Sequence, residues 1–333
     1  MRKYLVKIIM VLSFVFAFLI LGLSSSNNKV YAAWTGGGDG TSSNPYQIGT
    51  KAELREFRDI VNGLNGKTQN ANACAKLTAD IDIESEEWDP IGTKSKAYEG
   101  VFDGNGKKIS HLSITATNTE ISGLFGLLGA ATIKNVSVYG TVTAKNDAGG
   151  IAGKTSSNKH ATFINCTNYV TVYSERRAGG IVGQAYDADI IECKNFGMVV
   201  NSDNNIGDIS AGGIVGRVSA PGTVDISKCF NEGDISAINY CGGIIGETAS
   251  SSGNVVPFNT NQITNCYNIG NVTASKYVGG IAGYSKGIIT NCFNYGTVVF
   301  KNSSTTTYRG CIYGQNNSGI VTGCYYYVRR SLT

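Results

Sequence analysis

Histidine is nearly absent from this chain, with two residues in 333, and proline is rare, with four. His111 and His160 belong to no recognisable nucleophile motif, and no His-Glu-x-x-His stretch is present to hold the zinc ion of a peptidase. The sequence therefore predicts no catalytic centre, no metal site and no cofactor. A protein that binds or displays is favoured over an enzyme.

Outside its N-terminal segment, the chain also has no excess of positive or negative charge. The chain has 28 Lys and Arg against 24 Asp and Glu, and the excess of four lies entirely in residues 1–32. The rest of the chain is neutral and contains no Lys/Arg run longer than two. Nucleic acid is not expected as a partner, because binding it needs a clustered cationic face.

The first 32 residues have the pattern of an export signal. A basic start is followed by an apolar run without acidic residues, Ile8 to Leu23, and by Val30-Tyr-Ala32, whose small residues suit a signal peptidase. Cleavage is expected after Ala32; the alternative is an uncleaved membrane anchor, for which the run is short. We expect a secreted or cell-surface protein that meets the membrane only through this transient signal.

Glycine is abundant, with 43 residues, and much of it recurs in one phrase. The phrase Gly-Gly-Ile-x-Gly begins at Gly149, Gly179, Gly212, Gly242 and Gly279, and weaker versions begin at Ser122 and Gly310. Successive starts lie 27 to 37 residues apart. This is the length of one coil of a solenoid with loops of variable size.

A second phrase follows each copy of the first and ends on a small apolar position. These positions are Val136, Cys166, Cys193, Cys229, Cys266, Cys292 and Cys324. Two residues after the cysteine stand Asn168, Asn195, Asn231, Asn268 and Asn294, usually with a glycine two residues further on. Asn and Gly tolerate left-handed backbone, so the Asn-x-Gly step is expected to form a corner of the coil.

Stacked copies of this unit predict a parallel β-helix. Each repeat has about three short β-branched stretches and no helical apolar period. Strands of successive coils would pair about 4.8 Å apart, which turns each apolar position into a continuous core column. The predicted fold is therefore all-β, a right-handed parallel β-helix, since crossovers between parallel strands are nearly always right-handed.

The segment before the repeats differs in kind. Thr50-Lys-Ala-Glu53 has the capping-box pattern, and Leu54, Phe57, Val61 and Leu64 would line one face of a short helix that ends near Gly63 or Gly66 and covers the first coil. The predicted organisation is residues 33–121 as N-terminal cap and irregular first coils, residues 122–328 as a solenoid of about seven coils, and residues 329–333 as a tail.

The two phrases together resemble a known family. Gly-Gly-Ile-Ala-Gly followed by Ile-x-Asn-Cys-Tyr/Phe-Asn-x-Gly is similar to the GLUG repeat of bacterial extracellular proteins, over residues 122–328. The opening Asn44-Pro-Tyr-Gln-Ile48 and Trp88-x-Pro-Ile-Gly92 are also similar to the first coils of such β-helical surface proteins. The resemblance implies a β-helix and an adhesin-like surface protein. Family members often carry a C-terminal wall-anchoring motif, and none is found here.

The cysteines and the asparagines are assigned structural roles. Six of the nine cysteines share one column, which favours a ladder of reduced, buried thiols; vertical disulfides and a metal site are the alternatives. Metal is disfavoured because no Cys-x-x-Cys pair occurs. Cys241 aligns with alanines and is taken as core filler, and Cys74 and Cys311 stay unplaced. The asparagine column is expected to form a hydrogen-bonded amide ladder.

Aromatic residues recur beside the corner, one or three residues after the cysteine position. The candidate binding residues are Tyr169, Phe196, Phe230, Tyr267, Phe293, Tyr295 and Tyr325. An exposed file of them would make a flat platform for sugar rings or another protein, whereas the alternative is stacking along the solenoid without a binding role. Non-catalytic binding of an extracellular glycan or protein is the favoured function, and a purely structural spacer is another hypothesis.

One enzymatic alternative stays open. Lyases and glycoside hydrolases that cleave polysaccharides on a β-helix would use clustered aspartates in a groove. The aspartates of the repeats stand at non-equivalent positions, although neighbouring coils could gather them. They are Asp187, Asp189, Asp203, Asp208, Asp225 and Asp234.

Overall fold

The computed structural model describes residues 34, 36–115, 119–202, 209–248, 261–301 and 308–327. The predicted export signal and the predicted tail lie outside the described residues. Within the described ranges, no helix has both the length and the apolar character needed to cross a membrane.

One α-helix precedes the coils, α1 at Lys51–Asn62. Its start is the predicted capping box, in which the Thr50 side chain accepts from the Glu53 backbone and the Glu53 side chain accepts from Thr50. Gly63 ends it in left-handed backbone with φ 61°. The predicted helix is confirmed, but Leu64 lies beyond its end and is 40% exposed, so it is not part of the apolar face.

The apolar face of α1 covers the first coils. Leu54, Phe57 and Val61 are fully buried, and the Phe57 ring lies 5.9 Å from the rings of both Tyr98 and Phe102. Burying side chains of this size contributes about 1.5–3 kcal/mol each. The helix therefore closes this end of the solenoid core.

The polar face of α1 pairs with the acidic run between residues 80 and 89. Lys51 contacts Glu84 and lies 2.7 Å from Glu86, and Arg58 lies 3.5 Å from Asp89. Such exposed pairs are worth at most about 1 kcal/mol each. They orient the helix on the coils.

The rest of the chain winds through four parallel sheets. Sheet 1 has ten strands: Tyr46–Ile48, Ala75–Leu77, Val101–Asp103, Thr132–Lys134, Ala161–Ile164, Ala188–Ile191, Val224–Ser227, Gln262–Thr264, Ile288–Thr290 and Ile320–Thr322. Sheet 2 has seven: Ile121–Ser122, Asp147–Gly149, Arg177–Gly179, Ser210–Gly212, Tyr240–Gly242, Tyr277–Gly279 and Tyr308–Gly310.

Sheets 3 and 4 complete each coil. Sheet 3 has seven strands: Phe125–Leu128, Ala152–Thr155, Val182–Ala185, Val215–Val218, Ile245–Thr248, Ala282–Ser285 and Tyr313–Asn316. Sheet 4 has thirteen: Ile81–Asp82, Lys108–Ile114, Ser137–Ala144, Thr167–Ser174, Lys194–Asn195, Val199–Asn201, Phe230–Asn231, Ile235–Ser236, Tyr267–Asn268, Val272–Ala274, Phe293–Asn294, Val298–Phe300 and Tyr325–Tyr326.

Each repeat crosses sheets 2, 3, 1 and 4 in that order, and the predicted parallel solenoid is confirmed. The expectation of three strands per repeat is wrong, because the Gly-Gly-Ile-x-Gly phrase joins two strands, one in sheet 2 and one in sheet 3. The glycine is required there, since a Cβ on Gly179 would lie 1.9 Å from the Val182 carbonyl oxygen. Sheet 1 runs from the predicted cap into the repeats, and the boundary at residue 122 stays a prediction.

Two columns dominate the core. The isoleucines of the glycine phrase are almost completely buried: Ile151, Ile181, Ile214, Ile244, Ile281 and Ile312. The cysteine column is buried from Cys166 to Cys292 and partly exposed at Cys324. Because equivalent residues lie in register in successive coils, as Phe163 pairs with Ile190 and Ile190 with Ile226, the core is continuous along the solenoid.

The left-handed corner lies one residue before the cysteine column and not at the Asn-x-Gly step. The residues there have φ between 50° and 56°: Asn135, Asn165, Glu192, Lys228, Asn265 and Asn291. The glycine after the ladder asparagine is needed for another reason. A Cβ on Gly233 would lie 1.9 Å from the carbonyl oxygen of Gly197 in the neighbouring coil, so only glycine permits the coils to stack.

Candidate functional site

The asparagines of sheet 4 form a ladder shortly after the left-handed corner, beside the predicted binding residues. Each amide nitrogen donates to the amide oxygen of the next asparagine, at 2.6–2.8 Å from Asn168 through Asn195, Asn231 and Asn268 to Asn294. The same nitrogen donates to the carbonyl two residues on, as from Asn195 to Gly197 at 2.9 Å. These buried side chains hold the residues on either side of them outward.

The cysteine column lies directly behind this corner. Cys229 Sγ donates to the carbonyl oxygens of Ser227 and Ile190, at 3.3 and 3.4 Å. Burial raises the pKa of the Cys229 thiol, and it raises the pKa of Cys241 in the sheet 2 column to about 12. These thiols are neutral core groups; within the described ranges, the side chains of no three His, Cys, Asp or Glu residues are grouped to hold a metal ion.

Five aromatic side chains outside the corner form a continuous stack, here called the aromatic ribbon: Tyr139, Tyr169, Phe196, Phe230 and Tyr267. The first three rings are nearly parallel, with centroids 4.3 and 4.9 Å apart and planes 3° and 8° apart. Phe230 then turns edge-on to Phe196 at 73° and lies 4.4 Å from Tyr267. Because the parallel rings cover one another's faces, this part of the ribbon offers ring edges to solvent, which corresponds to the stacking alternative and not to a flat platform.

Beyond Phe230 the exposed surface widens into two columns. Phe293 and Tyr325 continue the register of Tyr267, and Ile269, Tyr295 and Tyr327 lie two residues further along the same strands. The aromatic patch consists of these side chains, 37–71% exposed: Tyr267, Ile269, Phe293, Tyr295, Tyr325 and Tyr327. Tyr295 stacks on Tyr327 at 4.9 Å. The seven predicted residues therefore all lie on this one side of sheet 4. Tyr169, Phe196 and Phe230 belong to the ribbon, Tyr267 belongs to both surfaces, and Phe293, Tyr295 and Tyr325 belong to the patch.

A second pair of columns was missed by the sequence reasoning. Where sheets 2 and 3 meet, outward side chains interlock in a seam. In the later coils Tyr240, Tyr277 and Tyr308 stack with centroids 4.7 and 5.0 Å apart, and Tyr284 packs edge-on against Tyr240 at 5.9 Å. Tyr240, Tyr277 and Tyr308 stand two residues before the glycine phrase, and Tyr284 directly follows it. The alignment of the glycine phrases could therefore have revealed these columns.

In the earlier coils the seam is polar and buried. Arg177 Nη1 donates to Asp147 at 2.9 Å and to Gln184 at 3.3 Å, and Gln184 donates to Ser219 at 2.8 Å. Asp147 is 2% and Arg177 8% exposed although both point away from the core. A charge-assisted network this well covered holds the two sheets together.

Three carboxylates gather at His160 on sheet 1. The imidazole Nδ1 lies 2.7 Å from Asp187 and Nε2 lies 3.3 Å from Asp189, and Asp189 lies in register with Asp225. The expectation that these aspartates stand at non-equivalent positions is wrong for Asp189 and Asp225, each of which stands four residues before its aligned cysteine, Cys193 or Cys229.

The charges of this cluster perturb each other. The hydrogen bond that His160 donates to the Asp187 carboxylate raises the pKa of His160, while burial and the neighbouring Asp189 raise the pKa of Asp225. Both imidazole nitrogens are thereby committed to carboxylates. Of the other aspartates, Asp203 and Asp208 lie outside the described residues, and Asp234 accepts from Asn271 at 3.0 Å, in sheet 4 and away from His160.

The fold and these surfaces define a parallel β-solenoid with outward aromatic columns. No protein family model matches the chain. The chain is 30% identical over 144 residues to a protein of Evansella cellulosilytica with the provisional name Gly-rich membrane protein, over 43% of this chain and 16% of that one. It is 31% identical over 166 residues to halomucin of Haloquadratum walsbyi, over 38% of this chain and 2% of that protein. The chain thus spans a small part of these relatives.

A solved structure shows the same fold. A protein of Bacteroides ovatus with the provisional name immunoglobulin A1 protease superposes with a TM-score of 0.57 at 21% identity, over 87% of this chain and 77% of that one. At this identity the likeness shows the fold alone.

Proposed function

We propose that this chain is a non-catalytic binding protein of the cell surface or extracellular space, of the adhesin-like GLUG type, and that its aromatic patch contacts a protein or glycan partner. The observation that carries the proposal is the patch itself. Six large apolar side chains in two adjacent columns expose 37–71% of their surface. Contiguous exposed apolar surface of this kind is typical of interaction sites.

The position of the patch supports a binding role. Tyr267 and Phe293 stand on strands whose inward asparagines and cysteines are buried and hydrogen-bonded, so these aromatic side chains are held in place before a partner arrives. Rigid aromatic side chains lose little conformational entropy on binding and dominate interface energetics. Likeness to a Gly-rich membrane protein and to halomucin supports a location outside the cytoplasm.

A binding screen tests the proposal. The labelled full chain is applied to a glycan array and to a panel of purified extracellular matrix proteins, beside the double variant Tyr295→Ser/Tyr325→Ser and the matched control Val299→Ser, an apolar residue 39% exposed outside the patch. We expect the double variant to weaken binding at least ~10-fold, since central aromatic residues contribute about 2 kcal/mol or more, and the control to bind normally. Absence of any ligand, or equal binding by the double variant, would contradict the proposal and favour a structural spacer.

The cluster at His160 supports a second candidate function, the cleavage of polysaccharides. Three carboxylates and an imidazole, with raised pKa values at His160 and Asp225, are groups that a polysaccharide-cleaving enzyme needs. They lie on an open sheet face, where His160 is 47% and Asp189 43% exposed. Assays for new reducing ends and for unsaturated products, on acidic and neutral polysaccharides, decide between binding and catalysis. Asp189→Asn is the control. Cleavage abolished by that variant would replace the binding proposal.

A further inference from the structure

A cavity opens at the head of the seam between sheets 2 and 3, far along the solenoid from the aromatic patch. It has a volume of about 200 Å³. Ile121 and Leu127, which line it, stand in the same columns as Asp147 and Lys154 of the next coil. Pro90 completes an apolar floor, and Thr93, Lys94 and Glu120 form the rim. The cavity is below the ~300–1,000 Å³ of sites for drug-sized ligands, so it suits a single ring.

Backbone contacts keep the floor open. Gly92 has φ 78°, and a Cβ on Gly126 would lie 2.3 Å from the Gly92 carbonyl oxygen. The Gly126 amide donates to Ile91 and the Leu127 amide to Gly92, at 2.9 and 3.3 Å. These glycines bring two backbone segments together without side chains between them, so the space above is bordered by Ile121 and Leu127.

The rim carries an excess of positive charge. Lys94 Nζ lies 2.9 Å from Glu120, and both side chains are more than half exposed. Two lysines of the next coil add positive charge beside the cavity without lining it. The Lys145 backbone amide donates to the Thr119 carbonyl at 2.7 Å, and Lys154, in register with Leu127, has its ammonium 3.8 Å from Asp147. All three lysines lower the pKa of Glu120, Lys94 most strongly.

The carboxylate nearest to these lysines in the next coil already has a partner. Asp147 accepts from Arg177 at 2.9 Å and is buried, with Lys154 3.8 Å away. Around the rim, four cations (Lys94, Lys145, Lys154 and Arg177) thus stand against the two carboxylates of Glu120 and Asp147, an excess of two positive charges. An anionic ligand gains from this field, although salt screens it.

We propose that this cavity binds one acidic sugar residue, a hexuronate, as part of an extracellular glycan. The apolar floor of Ile121, Leu127 and Pro90 packs against the C–H face of the ring, and the lysines on the rim pair with its carboxylate. The site is separate from the aromatic patch, so it stands or falls independently of the function proposed above.

Ligand-observed NMR on the full chain tests the site. Saturation transfer is measured with glucuronate, glucose and acetate, each at roughly 10 mM, suited to weak binding, and sulfate is added as a competitor of glucuronate. We expect transfer to glucuronate and a saturable, salt-sensitive titration, with no transfer to glucose. Equal binding of glucose would overturn the role of the charges. If acetate or sulfate binds as tightly as glucuronate, the cavity recognises only negative charge, and the proposal that it binds a sugar ring is wrong.

Charge-reversal variants locate the binding. Lys94→Glu and Lys145→Glu both change exposed side chains, so the fold is kept, and each should weaken glucuronate binding about tenfold. Lys301→Glu, an exposed lysine on sheet 4, is the matched control and should bind normally. Unchanged binding by Lys145→Glu, or no glucuronate binding by the parent chain, would refute the site. Tyr295→Ser/Tyr325→Ser should retain glucuronate binding, which separates failure here from failure of the aromatic patch.

Discussion

Replacing Asn231 by alanine tests whether the amide ladder, and not only apolar burial, stabilises the solenoid. The Asn231 side chain is fully buried. Its nitrogen donates to Asn268 at 2.6 Å and to the Gly233 carbonyl at 2.9 Å, and its oxygen accepts from Asn195 at 2.7 Å. Alanine removes all three bonds and leaves the partner groups in a core that water does not enter.

The magnitude follows from the three bonds. Each contributes about 0.5–1.5 kcal/mol net, so the loss in the free energy of unfolding should be roughly 3 kcal/mol. This is a large fraction of the ~5–15 kcal/mol by which domains are stable. The loss is expected to concentrate in the adjoining coils, because each coil of a solenoid contacts only its neighbours.

Guanidinium unfolding followed by circular dichroism measures the change, with hydrogen exchange at the Phe196 and Ile269 amides as a local readout. The matched control is Asn271→Ala, an exposed asparagine that donates to Asp234 at 3.0 Å; it should change stability by less than ~0.5 kcal/mol. If Asn231→Ala costs no more than this control, the ladder does not stabilise the fold and the reasoning fails.

Two other predictions concern titratable groups. In native protein, a thiol reagent should modify the exposed Cys311 quickly and the buried cysteines only after denaturation; rapid reaction of several thiols would show that the core column is open. His160→Gln should lower the unfolding midpoint near pH ~5.5 and have little effect near pH ~9. Asp187 raises the folded-state pKa of His160 above the ordinary 6.5, so this stabilisation is present below that value and is lost as pH rises through the raised pKa. An equal effect at both pH values would contradict the ion pair.

The architecture was accessible from the sequence because its signals are local and repeated. The spacing of the glycine phrase set the coil, and the fixed interval from Cys229 to Asn231 put both residues in inward columns. The helix could be predicted equally well, because its capping box and the Gly63 that ends it are each signals between residues close together in sequence.

The errors arose where geometry depends on neighbouring coils. The requirement for Gly233 comes from the carbonyl of Gly197, 36 residues earlier, and no local rule distinguishes that from a left-handed turn. The register of Asp189 with Asp225 could have been predicted, since each stands four residues before its aligned cysteine, Cys193 or Cys229. The seam residues could have been found from the alignment but were overlooked. Asp147, Arg177 and Tyr240 occupy equivalent positions in their coils, but their side chains differ in chemical type.

The nearly identical rungs of the asparagine ladder have a consequence for how such a chain changes in length. The bond from Asn195 to Asn231 matches that from Asn231 to Asn268 within 0.1 Å, so the junction between any two of these coils is interchangeable. A point mutation in the asparagine column removes ladder bonds to two neighbouring coils at once, whereas duplication or loss of a whole coil leaves the ladder continuous. The length of the solenoid can thus change by one coil at a time while every amide of the ladder keeps a partner of the same kind.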